Sequence, residues 1–342
     1  MDLSFLVQNS YYNFEIYNYW ISIIILFFLF YYRELIAFKF NLIDFPDQIR
    51  KLHKTPTPVI GGLILLIFIL SFIFLNNDVN LYLFIFWVSA FFLIGLLDDI
   101  KKLSSNTKIL SLTAVILFFL FIDNSLIIDQ FYSEILTRNI NLNYKNNFIL
   151  PIFFTTLSCL LFFNAMNMID GYNGVCSSTF FIYFLTIIII FPINIELYPI
   201  IILILIFLIF FNFFNLRGKI FLGDSGNYLL SSVLIFYILK LNFLFENISA
   251  EKIFLIMSIP GLDMFRLFIE RLYKNKNPFN PDRNHLHHLI DLYFSNKLKT
   301  ILFYILIILI SVSFIKIFNF NYIIGITFIC FYYLILLKIL KN

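Results

Sequence analysis

Three of the chain's four histidines stand in one run, Pro281-Asp282-Arg283-Asn284-His285-Leu286-His287-His288, beside an arginine and a carboxylate. The fourth, His53, lies in a second polar stretch, residues 44–58. Three further islands separate them: Asp98-Asp99 with Lys101, Lys102 and then Lys108; Asn164-Ala-Met-Asn167-Met-Ile-Asp170-Gly-Tyr-Asn173-Gly174; and Phe221-Leu-Gly223-Asp224-Ser225-Gly226-Asn227. Carboxylates and amides are hard oxygen ligands, and Lys108, Arg217, Lys219 and Arg283 are cations that suit phosphates. Mg²⁺ is typically held by one or two protein oxygens plus substrate phosphates, so the set points to phosphoryl transfer. A structural zinc site is disfavoured, because His285-Leu-His287-His288 lacks the separated fourth ligand it needs.

Each island also has a plainer reading. Adjacent helical residues point about 100° apart, so Asp98 and Asp99 need separate roles, and a carboxylate at a helix C-terminus opposes the helix dipole. The intervals of three in Asn164, Asn167, Asp170 and Asn173 allow one turn to present several oxygens. The glycines around Asp224 let backbone N–H groups approach a phosphate at a helix start. Leu286, Leu289, Ile290, Tyr293 and Phe294 follow the stripe of an amphipathic helix lying against a membrane, with His285 and His288 on its polar side.

Hydrophobic residues form 61% of the chain and charged residues 13%, against roughly 45–50% and 25% in soluble domains. The expected fold is an all-α integral membrane protein forming a single domain over residues 1–342. At about 20 residues per span it would have about eleven transmembrane helices, the one near Ile109 to Ile122 being the shortest. Residues 1–20 hold no Lys or Arg and no small-residue cleavage site, so the first span is not expected to be a cleaved signal. With the N-terminus outside, most of the 24 basic residues fall in connections on the cytoplasmic side, as the positive-inside rule requires. All the polar islands then share that face, and residues 123–147 form an external loop. A transporter would instead bury charges near the midplane and show paired, broken halves. Pro260-Gly261 are expected to kink the ninth segment, with Asp263, Arg266 and Glu270 beyond the kink spaced for helical ion pairs.

The islands, in this order, resemble the motifs of the polyprenyl-phosphate N-acetylhexosamine-1-phosphate transferases, bacterial membrane enzymes that start cell-envelope polysaccharides. The Asn277 to His288 run is most similar to the N-acetylglucosaminyl-1-phosphate branch. The phospho-MurNAc-pentapeptide branch of peptidoglycan synthesis, which usually shows three consecutive histidines, is the alternative. The resemblance implies transfer of HexNAc-1-phosphate from a UDP-sugar to a polyprenyl phosphate, with Mg²⁺ or Mn²⁺, in the bacterial inner membrane. It starts a polymer such as O-antigen, and leaves room for a homodimer but no nucleic-acid partner. It further implies Asn167 and Asp224 as metal ligands. Asp98, Asp99 and Asp170 become catalytic carboxylates, Asp98 deprotonating or orienting the lipid phosphate. Lys108 and Arg283 contact phosphate, Asn173 lies near the nucleobase, and His285, His287 and His288 belong to the sugar-recognition loop. Two departures stand out: Asn173 where many relatives have Asp, and Val59 where many have Arg.

Overall fold

The computed structural model describes residues 16–46, 55–76, 81–142, 147–191, 198–245, 249–275, 284–317 and 322–341. His53 and Arg283 lie outside these segments. The protein is an all-α, multi-pass membrane protein. In chain order its helices are α1 (Ile16–Tyr31), α2 (Arg33–Lys39), α3 (Gly61–Asn76), α4 (Tyr82–Lys101), α5 (Ser105–Ile122), α6 (Ile149–Ile169), α7 (Val175–Ile190), α8 (Tyr198–Asn215), α9 (Gly223–Leu244), α10 (Ala250–Tyr273), α11 (Leu286–Phe294), α12 (Lys297–Ile317) and α13 (Tyr322–Lys341). Helices dominate because a backbone in hydrocarbon must satisfy its own polar groups.

Among the described residues, seven helices are long and apolar enough to cross a membrane, or eight if α1 and α2, bent by 68°, form one broken span. The others of the roughly eleven expected spans differ in kind. Helices α3 and α7 are apolar but only 16 residues long, and α10, at 24 residues, carries Asp263, Arg266, Glu270 and Arg271. The helix near Ile109 is longer than the apolar run alone implied: Ser104 caps it, accepting from Thr107 N at 3.3 Å, and α5 runs 18 residues.

Helix α9 is the centre of the molecule. Of the seven long apolar helices among the described residues it is the most deeply buried and the least apolar. A helix enclosed by other helices need not be oily; it needs small residues that let neighbours approach. A Cβ on Gly62 of α3 would collide with Gly226 N, and one on Gly95 of α4 with the Asp224 carbonyl oxygen. Further along, buried Trp87 donates its indole N–H to Ser232 O at 2.9 Å. Its ring packs with Phe91, Phe119 and Phe236.

Two antiparallel strand pairs lie outside the helices. The short pair β1 (Ile43–Asp44) and β2 (Thr57–Pro58) docks on the α8–α9 connection: Phe221 N donates to Pro58 O at 2.8 Å, and Gly61 N returns to Phe221 O at 3.0 Å. Val59 sits here, bridged to Phe221. The other pair, β3 (Gln130–Ser133) and β4 (Arg138–Asn141), forms a hairpin within the loop over 123–147. It is fixed by the Glu251 carboxylate, which accepts from Ser133 Oγ at 2.6 Å, Glu134 N at 3.0 Å and Ser249 Oγ at 2.9 Å.

Helix α10 continues through Pro260. Proline leaves the preceding turn short of a donor. The carbonyl affected is that of Ile256; beside it the Leu255 carbonyl accepts from Ser258 Oγ at 3.0 Å and from Ser311 Oγ of α12 at 2.6 Å, which ties α10 to α12 next to the proline.

The glycine contacts give a direct test. Gly95→Val is expected to lower the thermal unfolding temperature in detergent, since overpacking costs about 1–3 kcal/mol. Gly261→Ala, at a position whose added Cβ meets nothing within 4 Å, is expected to leave it unchanged or raised. Equal midpoints for Gly95→Val and the parent would rule out this close α4–α9 approach.

Candidate active site

Asp98 and Asp99 end α4, and the turn after them brings Lys108 back. Lys102 adopts a left-handed conformation (φ 51°) that closes the helix, its N–H bonding to Asp98 O at 2.8 Å. Asp98 also holds the turn with its side chain, Oδ1 accepting from Leu103 N at 2.7 Å. Lys108, on the first turn of α5, then places its ammonium against Asp98 Oδ2. The same ammonium lies 2.8 Å from Asp224 Oδ2. One cation therefore joins two carboxylates from two helices.

The two adjacent aspartates do have separate roles. Asp99 faces the start of α9, where Oδ1 accepts from Asp224 N at 2.8 Å and Oδ2 accepts from Ser225 N at 3.1 Å and Ser225 Oγ at 2.6 Å. It is an N-terminal cap supplied by another helix, and its charge complements the positive end of the α9 dipole. These two N–H groups are thus taken by Asp99, which corrects the expectation that they stand open to a phosphate. Gly223 is required here on two counts: its φ is +75°, and a Cβ would lie 2.6 Å from Asp99 Oδ2.

The third island closes on the same centre. Asn167 is half-buried on the last turn of α6, and Asp170 follows as the C-terminal cap, its N–H donating to Asn167 O at 3.3 Å. Burial pushes the Asp170 carboxyl up to about 7, and the negative charge of Asp99 adds to the shift. Two asparagines that the sequence reading left without a role fix this turn. Buried Asn227 of α9 donates to Met166 O at 2.9 Å. Asn215 accepts from Gly174 N at 2.6 Å and donates to Ile220 O at 2.8 Å. Asn227 belonged to a visible polar island and Asn215 to none, and only the helix arrangement reveals their partners. Asn173 is half-buried, beside Gly218.

The histidine run meets the third island. A Cβ on Gly171 would lie 3.1 Å from His287 Nε2 and 3.5 Å from His288 Nε2. His288 is half-buried; His285 is 6% exposed and His287 fully enclosed. So His285 does not share an open polar side with His288, as the helical stripe implied. The stripe itself differs too: Leu286, Leu289 and Ile290 of α11 are buried, and α11 packs on α12 and α13 rather than lying on the membrane. Only Tyr293, of the five stripe residues, is exposed.

A small polar cavity of about 260 Å³ opens beside Asp99, lined among others by Asn41, Asp44, Val59 and Lys102. The larger apolar groove, about 820 Å³, lies elsewhere, between α1 and α8. Among the described residues no group of three or more His, Cys, Asp or Glu side chains is arranged to hold a metal ion. The donors fit Mg²⁺: Asp224 offers an anionic oxygen and Asn167 a neutral one, and Lys108 shows that this spot already gathers two carboxylates around a positive charge.

His287 supplies a pH test. Burial, and then the neighbouring His288 and His285, hold its pKa well below the usual histidine value, although Asp263 opposes the shift. Neither ring nitrogen has a hydrogen-bond partner among the described residues. The unfolded chain takes up this proton near pH 6.5 while the folded chain does not. The contribution is therefore fully present above that pH and lost as pH falls through it. Between pH 7.5 and 5.5 the melting temperature is expected to drop less in His287→Phe than in the parent; parallel pH curves would contradict the assignment.

Comparisons with known proteins show where along the chain the likeness lies. The pattern of glycosyl transferase family 4 matches residues 81–242, which hold Asp98, Asp99, Lys108, Asn167, Asp170 and Asp224 but not the histidine run. The undecaprenyl-phosphate alpha-N-acetylglucosaminyl 1-phosphate transferase of Thermotoga maritima is 29% identical over 287 residues, 82% of either chain. The protein of that name from Escherichia coli K12 is 27% identical over 285 residues, 77% of this chain and 72% of its own. A phospho-N-acetylmuramoyl-pentapeptide-transferase from Prochlorococcus marinus is 36% identical, but over 146 residues, 38% of this chain and 39% of its own. The matched pattern spans the helices that gather the carboxylates, and the relatives extend the likeness over most of the sequence: the chain is similar to glycosyl transferase family 4.

Proposed function

We propose that the protein transfers N-acetylglucosamine-1-phosphate from UDP-N-acetylglucosamine to a polyprenyl phosphate at the cytoplasmic face of a bacterial inner membrane. A lipid phosphate oxygen attacks the sugar-bearing phosphorus of the donor. The bond to the UMP phosphate breaks, leaving polyprenyl-diphosphate sugar and UMP. The observation that carries the reading is Lys108 bridging Asp98 and Asp224, which unites oxygen donors and a cation from three helices. The long matches favour the N-acetylglucosaminyl reading over the pentapeptide one, whose named relative matches over a much shorter stretch. A transporter is disfavoured because these charges sit at helix ends and not at the middle of spans.

Asp224 and the Asn167 amide oxygen would hold Mg²⁺, with Mn²⁺ as a substitute. When bound, the ion offsets the charge of the donor diphosphate and of the departing UMP. The protein's own groups do the rest. A phosphate monoester has its second pKa near 6 and is mostly a dianion at neutral pH, so Asp98 is needed less as a strong base than to position the nucleophile. Lys108 keeps Asp98 oriented and lowers the repulsion between two anionic substrates. Asp99 acts through the α9 N-terminus, setting the place of Asp224. Asp170, near its own titration point, lies where a proton can be held or released. Arg283 is assigned to phosphate, Asn173 to the nucleobase, and the histidine run, through half-buried His288, to the sugar. The product would start a cell-envelope polysaccharide such as O-antigen, and a homodimer is compatible with this role.

Purified protein with undecaprenyl phosphate is expected to release UMP from UDP-N-acetylglucosamine only when Mg²⁺ or Mn²⁺ is added, and not from UDP-MurNAc-pentapeptide. Asp224→Asn, which keeps shape but removes the anionic ligand, is expected to lose at least about 100-fold in turnover with its melting curve intact. Near-normal turnover of Asp224→Asn at low Mg²⁺ would reject the metal assignment, and turnover of the pentapeptide donor alone would select the other branch.

Orientation is tested by labelling. In a background with Cys159, Cys176 and Cys330 replaced, Ser104→Cys and Asn275→Cys are expected to react from the cytoplasm and Asn139→Cys from outside, all three positions being exposed. Ser104 and Asn139 reacting from the same side would sink the shared cytoplasmic face.

A further inference from the structure

The carboxylate of Asp263 is 2% exposed and accepts hydrogen bonds from three helices. It stands on α10 one turn beyond Pro260. Arg266 Nη2, on its own helix, donates at 2.8 Å, and Tyr333 Oη of α13 donates at 2.8 Å. The remaining donors come from the start of α11. Leu286 N lies 3.2 Å from each oxygen, and His285 Nδ1 lies 3.2 Å from Oδ2. Arg266 continues the link, giving Nη2 to Asn284 O at 2.6 Å and Nε to Tyr333 Oη at 3.1 Å.

His285 occupies the N-cap position of α11 but makes no side-chain cap of its own. Asp263 performs that task from another helix, placing a negative charge at the positive end of α11. With Nδ1–H given to a carboxylate, the tautomer and ring plane of His285 are set. That ring lies parallel to His287, 5.6 Å between centroids with 5° between planes, and His287 lies 4.2 Å from His288. The three rings form a short packed row, the first pair parallel and the second tilted by 53°, that ends against Gly171, the residue after Asp170. A displacement at Asp263 is therefore passed through close-packed rings to the edge of the catalytic turn.

We propose that Asp263 is the positioning residue of the histidine run: by capping α11 and fixing His285, it sets where His288 stands for the sugar of the donor. The inference rests on the proposed function, since it presumes that this run meets the sugar. It assigns Asp263 no contact with substrate and no part in breaking or forming a bond. Its effect is on recognition of the hexosamine and not of the nucleotide.

The test is a pair of equilibrium affinities on the full-length protein in detergent with Mg²⁺, for UDP-N-acetylglucosamine and for UDP alone. In Asp263→Asn the first is expected to weaken about tenfold, the scale of one hydrogen bond to a charged group, while the second stays within about twofold. Tyr333→Phe, which removes a single donor to the same carboxylate, is expected to shift the ratio in the same direction by about threefold and serves if Asp263→Asn does not fold. A general loss of structure would weaken both ligands together. An unchanged ratio in a folded variant, or equal weakening of both ligands, overturns the proposal. Failure of the underlying function looks different: the parent protein itself would then gain nothing from the sugar, or would bind the donor and never pass its sugar phosphate to polyprenyl phosphate.

Discussion

The site depends on one contact, the Asp99 carboxylate of α4 seated on the first N–H groups of α9. In hydrocarbon the start of a helix leaves several donors without partners, and each costs free energy unless something meets it. Asp99 meets two of them and a serine hydroxyl as well. It reaches them because Gly95, one turn earlier, lets the two backbones come together. That contact fixes the start of α9, and with it Asp224. The residues that would hold a metal and a phosphate are thus set by a helix cap that need touch neither.

Gathering acidic groups at helix ends is costly in a low dielectric, and the arrangement spreads the charge in three ways. Lys108 is shared between Asp98 and Asp224 and offsets one unit of their charge. Backbone and hydroxyl donors carry Asp99. Asp170, with its carboxyl at about 7, shares its time between charged and neutral forms. A buried ion pair of this kind is weak evidence for stability. Its meaning lies in preorganisation, since groups already held in place need not reorganise when a charged substrate arrives.

The second half of the chain adds a different element. Past Pro260, α10 carries a charged stretch that ties α11 and α13 into one assembly through Asp263, Arg266 and Tyr333. The three histidines therefore rest on a fixed support. They arrive at the catalytic turn from a part of the sequence outside the span of the family pattern. The carboxylate centre and the histidine run are thus carried by separate structural units.

Much of this was legible in the sequence. The apolar composition required a helical membrane protein, and the polar islands, few and ordered, identified the groups with chemistry and the family they resemble. Lys108, Asp98, Asp99, Asp170 and Asp224 do converge. Arg283 and His53 fall outside the described residues. The sequence could not say which carboxylate is a cap and which is free to meet a ligand, because that depends on which helix arrives opposite it. Nor could it say that His287 is sealed, or that the α11 stripe faces protein. In a chain this apolar, a helix face turned to lipid and one turned to another helix read alike, and the hydrophobic pattern that separates inside from outside in water is lost. Asn215 and Asn227 were missed, and Asp263 was read only as a partner of Arg266 on its own helix, for the same reason: the rest of their role comes from partners more distant in sequence or on other helices, which only helix packing brings within reach.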